Sequence, residues 1–200
     1  MFKFNSHLVD HKVSDVGFYD LLLHSSDRAY SIGQLLKTLQ SAGLDWVGAP
    51  EPALYDSVDL LPKGMQLPES LDRTQTMAIA ENLRGTFKTH IAYAKPFGTQ
   101  IKPPLGQPQA IPHLKGIDPR RLAQAIAQKG EIRITAGGEK IRLPLPKAAA
   151  PLIATIDGRR DLAAIRSLAK LDPFAFATLW GPVERALCGY GQMHYSSVLK

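Results

Sequence analysis

Residues 31–48 encode a helix with both ends specified, followed almost at once by a strand. Ser31 and Gln34, three apart, form a capping-box pair that satisfies the first amides of a helix. Ile32, Leu35, Leu36 and Leu39 recur at the spacing of one helical face, and Gly43 supplies the left-handed residue that stops it. Leu44 to Gly48 then reads as a short apolar strand. Immediately upstream, His24-Ser25-Ser26-Asp27-Arg28 separates the apolar residues 21–23 from the capped helix. A polar cluster at such a junction is where a ligand would be met. His24, Ser25, Asp27, Arg28 and Tyr30 are therefore the candidate substrate-binding residues.

A second capping-box variant, Asp72 with Gln75, opens a helix that carries Met77, Ala80 and Leu83 and closes at Gly85. Residues 86–94 alternate, with Phe87, Thr89, Ile91 and Tyr93 on one face and Lys88, His90 and Ala92 on the other, as a half-exposed strand would. His90 and Tyr93 fall on opposite faces and cannot serve one pocket together, so both read as structural. Pro96, Pro103, Pro104, Pro108 and Pro112 follow with almost no periodicity, which predicts an extended linker over 96–113 and a domain boundary there.

The run LLLHSSDRAYS, followed by a helix ending in AGL and then a strand, resembles the segment after the fifth strand of class I S-adenosylmethionine-dependent methyltransferases, in particular a bacterial group with an HSxDRAY-like run there. The resemblance covers roughly residues 10–95. It implies a partial Rossmann-like α/β sheet: the last helix, strand six at residues 44–48, an antiparallel strand seven at 86–94, and a helical insertion at 49–85. It also implies that Arg28 pairs with a substrate carboxylate while His24 assists deprotonation. The residues alone allow another reading, in which Asp27 and Arg28 make local caps and ion pairs. In that family the cofactor lies on a Gly-rich turn after strand one and on an acidic residue ending strand two. This sequence holds no strand–GxGxG–helix unit, and its Gly137-Gly138 pair reads as a hairpin turn. The resemblance thus implies the C-terminal substrate-recognition and regulatory portion of such an enzyme, with no catalytic residue assigned. S-adenosylmethionine would be held by a separate cofactor-binding half. Association with that half, or self-association, is expected through residues 18–48.

Residues 114–200 predict a small α+β unit. Asp118-Pro119 opens a helix that stops at Gly130, residues 131–135 and 140–145 flank the hairpin turn, and three further helices precede a strand at 193–198. Gly181-Pro182 is expected to kink or split the last helix. Three short helices closed by a strand point to a winged-helix-like core. The run IDGRRDLAAI resembles small winged-helix modules that bind leader peptides, which implies a peptide partner. Arg159, Arg160, Arg166 and Lys170 form the candidate basic contact patch. LAAIRSLAK offers too few base-reading side chains for sequence-specific DNA binding, so nucleic acid is disfavoured.

Charge supports a division of labour. Residues 1–100 carry nine Lys/Arg against eleven Asp/Glu, and residues 101–200 carry fifteen against seven. No apolar run approaches the roughly 20 residues that span a bilayer, and the polar N-terminal residues do not read as a secretory signal, which predicts a cytoplasmic protein with no membrane contact. The lone Cys188 reads as a buried thiol. His7 and His11 lack a third ligand, so no metal site is expected.

Overall fold

A computed structural model describes residue 15 and residues 28–62, 64–101 and 105–197. Residues 31–200 make one compact unit, and residues 1–30 fall outside it. Its described residues form helices and three two-stranded antiparallel ribbons.

Helix α1 (Ile32–Ser41) begins as its capping box requires: the Ser31 hydroxyl accepts the Gln34 amide, and Gln34 Oε1 accepts the Ser31 amide at 3.1 Å. Its apolar face is filled from within the unit, because Ile32 and Leu36 are buried in the core. Strand β1 (Leu44–Gly48) follows and pairs antiparallel with β2 (Tyr93–Pro96). A 3₁₀ turn at Pro52–Tyr55 and another at Val58–Leu60 lead to α2 (Arg73–Arg84), capped reciprocally by Asp72 and Gln75 and ended by Gly85 at φ 61°.

Only the end of the expected strand at residues 86–94 joins a ladder. Phe87 and His90 turn into an aromatic cluster around Tyr55, and Thr86 Oγ1 donates to Glu139 Oε1 at 3.0 Å, so these side chains anchor the segment outside any ribbon.

The proline-rich stretch does not divide two cores. Its last residues form β3 (Ile111–Leu114), which pairs with β6 (Met193–Ser196), and one hydrophobic core runs from Ile32 through Leu54 and Met77 to Leu187 and Met193. The domain boundary expected at 96–113 is corrected accordingly. Pro112 is tolerated because β3 has a single ladder partner among the described residues.

Helix α3 (Pro119–Lys129) carries the expected Asp118 cap and Gly130 stop. Strands β4 (Glu131–Ala136) and β5 (Glu139–Pro144) turn on Gly137 and Gly138, both at positive φ, as a tight hairpin demands. Helices α4 (Ala150–Ile153), α5 (Leu162–Leu168) and α6 (Pro173–Gly189) follow. Helix α6 runs unbroken through Gly181-Pro182. Pro182 removes one backbone bond, and the burial of Phe176, Trp180, Val183 and Leu187 offsets that loss.

Candidate functional site

Of the residues chosen from the sequence, Arg28, Tyr30 and the basic set fall among those described. His24, Ser25 and Asp27 lie outside the described residues, as do His7 and His11. Arg28 sets its guanidinium 5.1 Å from the centre of the Tyr30 ring, a local cation–π pair. The basic candidates are strung along α5: Arg159 and Arg160 precede it, Arg166 is in its last turn, and Lys170 follows its end. Seven residues at about 1.5 Å each put roughly 10 Å between the two groups. Arg160 is already engaged, donating to Asp157 Oδ2 at 2.9 Å and to the Thr155 carbonyl at 3.2 Å. Asp157 accepts the amides of Arg159 and Arg160, and the Arg160 amide does most to hold its carboxyl below the usual range.

A large cavity lies elsewhere, between β5, the C-terminal half of α6 and the 3₁₀ turns after β1. It is a cleft of about 880 Å³, near the top of the range that ligand sites occupy. Every residue of β5 from Glu139 to Pro144 lines it, opposite Pro182, Arg185, Ala186 and Tyr190. Hairpin parity determines what β5 offers. The Leu145 amide donates to the Gly130 carbonyl at 2.8 Å, so Leu143, Ile141 and Glu139 bond to β4, and Lys140 and Arg142 turn their N–H and C=O groups outward. Among the described residues those four backbone groups have no partner. The floor of the cleft is therefore an unpaired strand edge.

Charged groups ring it. Arg84 is buried and donates to the Leu54 carbonyl at 2.9 Å and to Glu139 at 3.3 Å. Arg142 pairs with Glu131, while Lys140 and Arg185 have no ion-pair partner among the described residues.

A half-buried relay that the sequence reading missed lies at the root of α2. Glu81 Oε1 is 2.9 Å from His90 Nε2, and His90 Nδ1 is 3.0 Å from Tyr55 Oη. A carboxylate only accepts, so His90 Nε2 donates to Glu81. Glu81 Oε2 accepts the Ile32 amide at 3.0 Å, tying the relay to the start of α1. Burial first, then the charges of Glu81 and Glu51, push the Tyr55 hydroxyl up to about 12. A phenol held neutral this firmly serves to hold the fold together and is a poor proton donor to a substrate. The alternation of residues 86–94 does place His90 opposite Tyr93, but nothing in the sequence links it to Tyr55, 35 positions away.

No family model matches the chain, and no curated protein matches it either. Among the described residues no helix is long and apolar enough to cross a membrane, and no group of three or more His, Cys, Asp or Glu is placed to hold a metal ion.

Proposed function

We propose that this chain is a recognition module that holds an extended peptide segment along β5, acting as the substrate-recognition and regulatory portion of a class I methyltransferase whose cofactor is bound elsewhere. The observation that carries the reading is the unpaired edge of β5 lying along a cleft opposite α6. An exposed strand edge alone is a hazard that charges and short length keep in check. An edge that floors a cleft is a template to which a peptide adds as a strand, with backbone bonds giving affinity and the facing wall giving selectivity. The winged-helix-like order of α4, α5, α6 and β6 is compatible with such a module. The methyltransferase context rests on the HSSDRAYS run and on the succession α1, β1 and antiparallel β2, which suits a Rossmann-like sheet edge. Both outer edges of the β1–β2 ribbon are unpaired among the described residues, so a cofactor-holding chain would dock on the ribbon rather than on the filled face of α1. A freestanding cytoplasmic peptide-binding module that uses the same cleft is the second reading, favoured by the single core of residues 31–200.

Selection of peptides from a random display library on the purified chain tests the cleft. The variant Lys140→Pro deletes one outward N–H and leaves the β4–β5 ladder bonds intact. Selected peptides are expected to bind it about tenfold more weakly, the value of roughly one backbone bond. Peptides that bind both forms equally would sink the strand-addition reading. Titration of S-adenosylmethionine into the chain should give no heat, and a low-micromolar dissociation constant would overturn the separation of cofactor from recognition.

A further inference from the structure

A second cavity of about 300 Å³ opens between β1, the Pro52–Tyr55 turn and the first turns of α2. It meets the β5 cleft at Pro52 and Asp56, which line both, and is otherwise separate from it. Its walls are apolar: the Trp46 and Tyr55 rings pack edge to face with centroids 5.5 Å apart, and Met77 is buried beside them. Several of its polar groups are unused among the described residues. Ser57 is 4% exposed, yet among the described residues its hydroxyl has no hydrogen-bond partner. Burying a hydroxyl without a partner costs about 1–3 kcal/mol. The position is also the cap of a 3₁₀ turn that the hydroxyl does not serve. Two more donors of the lining lack partners among the described residues: the Trp46 indole N–H and the Arg73 guanidinium, the latter exposed at the mouth. Thr76 is committed, donating to the Arg73 carbonyl at 2.8 Å, and Asp56 Oδ1 accepts the Val58 amide at 2.9 Å.

The Ser57 hydroxyl, the Trp46 indole and the Arg73 guanidinium can all donate and the last is cationic, while Asp56 leaves its second carboxylate oxygen without a partner among the described residues. We propose that this pocket binds a small carboxylate with a compact apolar body. The carboxylate is received by Arg73 at the mouth, with the Ser57 hydroxyl and the Trp46 indole as further donors, and the apolar body lies against Trp46, Tyr55 and Met77. Arg with a carboxylate makes the strongest of these contacts, a charge-assisted pair. The volume lies at the lower end of the range for ligand sites, which excludes nucleotides and other large ligands. The inference goes beyond the peptide reading and does not depend on it, since the cofactor and the β5 edge play no part.

Proton–nitrogen correlation spectra test it directly, because the chain has two tryptophans and the indole N–H of Trp46 reports on the pocket. Benzoate, phenylacetate and 4-methylpentanoate are the probes, with benzamide as the uncharged control, and Trp46→Phe assigns the resonance. At least one carboxylate is expected to shift the Trp46 indole signal saturably and leave that of Trp180, which is bonded to Tyr195, in place. Arg73→Gln, a change at an exposed site, should weaken that probe about tenfold, and Ser57→Ala should weaken it by a smaller factor. The proposal is overturned if none of the three carboxylates shifts the signal, if benzamide does so equally well, or if Arg73→Gln changes the affinity by less than about threefold.

Discussion

Arg84 and Glu139, 55 positions apart, meet at 3.3 Å and join the chain's first half to the hairpin of its second. The Arg84 side chain is only 4% exposed and also donates to the Leu54 and Ala53 carbonyls, so its removal strands two acceptors as well as an ion-pair partner. Glu139 keeps about a third of its surface in water, which reduces the value of the pair below that of a fully buried one. Arg84→Ala is expected to lower stability by about 2–4 kcal/mol in urea unfolding. A loss below 1 kcal/mol would mean the contact is incidental.

Limited proteolysis between Pro96 and Pro112 should nick the chain without separating it. Ile32 and Met77 from one side of the cut share a core with Ile126, Leu152 and Leu187 from the other. The two fragments are expected to co-elute in gel filtration at the mass of the intact chain until denaturant is added. Independent elution would restore the two-domain division that the prolines advertise.

Two glycines at similar positive φ should respond differently to alanine. Gly191 sits at φ 64°, and an added Cβ would come within 2.7 Å of the Pro50 carbonyl oxygen, a backbone atom that cannot rotate away. Gly43 sits at φ 74° with open space around it. Gly43→Ala should cost about 1–2 kcal/mol for the left-handed conformation alone, and Gly191→Ala clearly more. Equal thermal shifts for the two variants would contradict the contact at Pro50.

Acid should loosen the β3–β6 ribbon. His113 and His194 face each other across it with rings stacked 5.1 Å apart, and burial, followed by the charge of His194, lowers the His113 pKa. The unfolded chain then binds the proton at a higher pH than the native one. Stability is present above about pH 6.5 and is lost as pH falls from there toward the depressed native value. Urea midpoints measured across that window should fall with pH, and His113→Gln should flatten the slope. A flat profile in the parent chain would rule the pair out as the source.

What the sequence made legible is local. The capping boxes at Ser31 and Asp72, the Asp118-Pro119 helix start and the Gly137-Gly138 hairpin each lie within a few residues of the bonds they form, and each is present as read. The misses are non-local. Pro112 concealed a strand, because a ribbon with one ladder partner tolerates a proline that a central strand would reject. Pro182 did not split its helix, because four buried side chains outweigh one absent amide bond. The β5 cleft and the Ser57 pocket are assembled from segments that share no motif, so no spacing rule marks them. The polar cluster that drew attention first, His24, Ser25 and Asp27, lies outside the described residues, and its basic counterpart at Arg160 is spent on its own turn.

The β3–β6 pairing also sets an order for synthesis. His113 Nε2 lies 2.8 Å from Ser196 Oγ, yet 83 residues separate the two along the chain. On the ribosome β3 emerges long before its ladder partner β6. Until then Ile111, buried in the finished fold, faces water beside a strand edge open to any passing chain. The nascent protein therefore passes through a stage in which its middle is most vulnerable to wrong partners. That stage ends only when Met193, His194, Tyr195 and Ser196 have cleared the exit tunnel and closed over it.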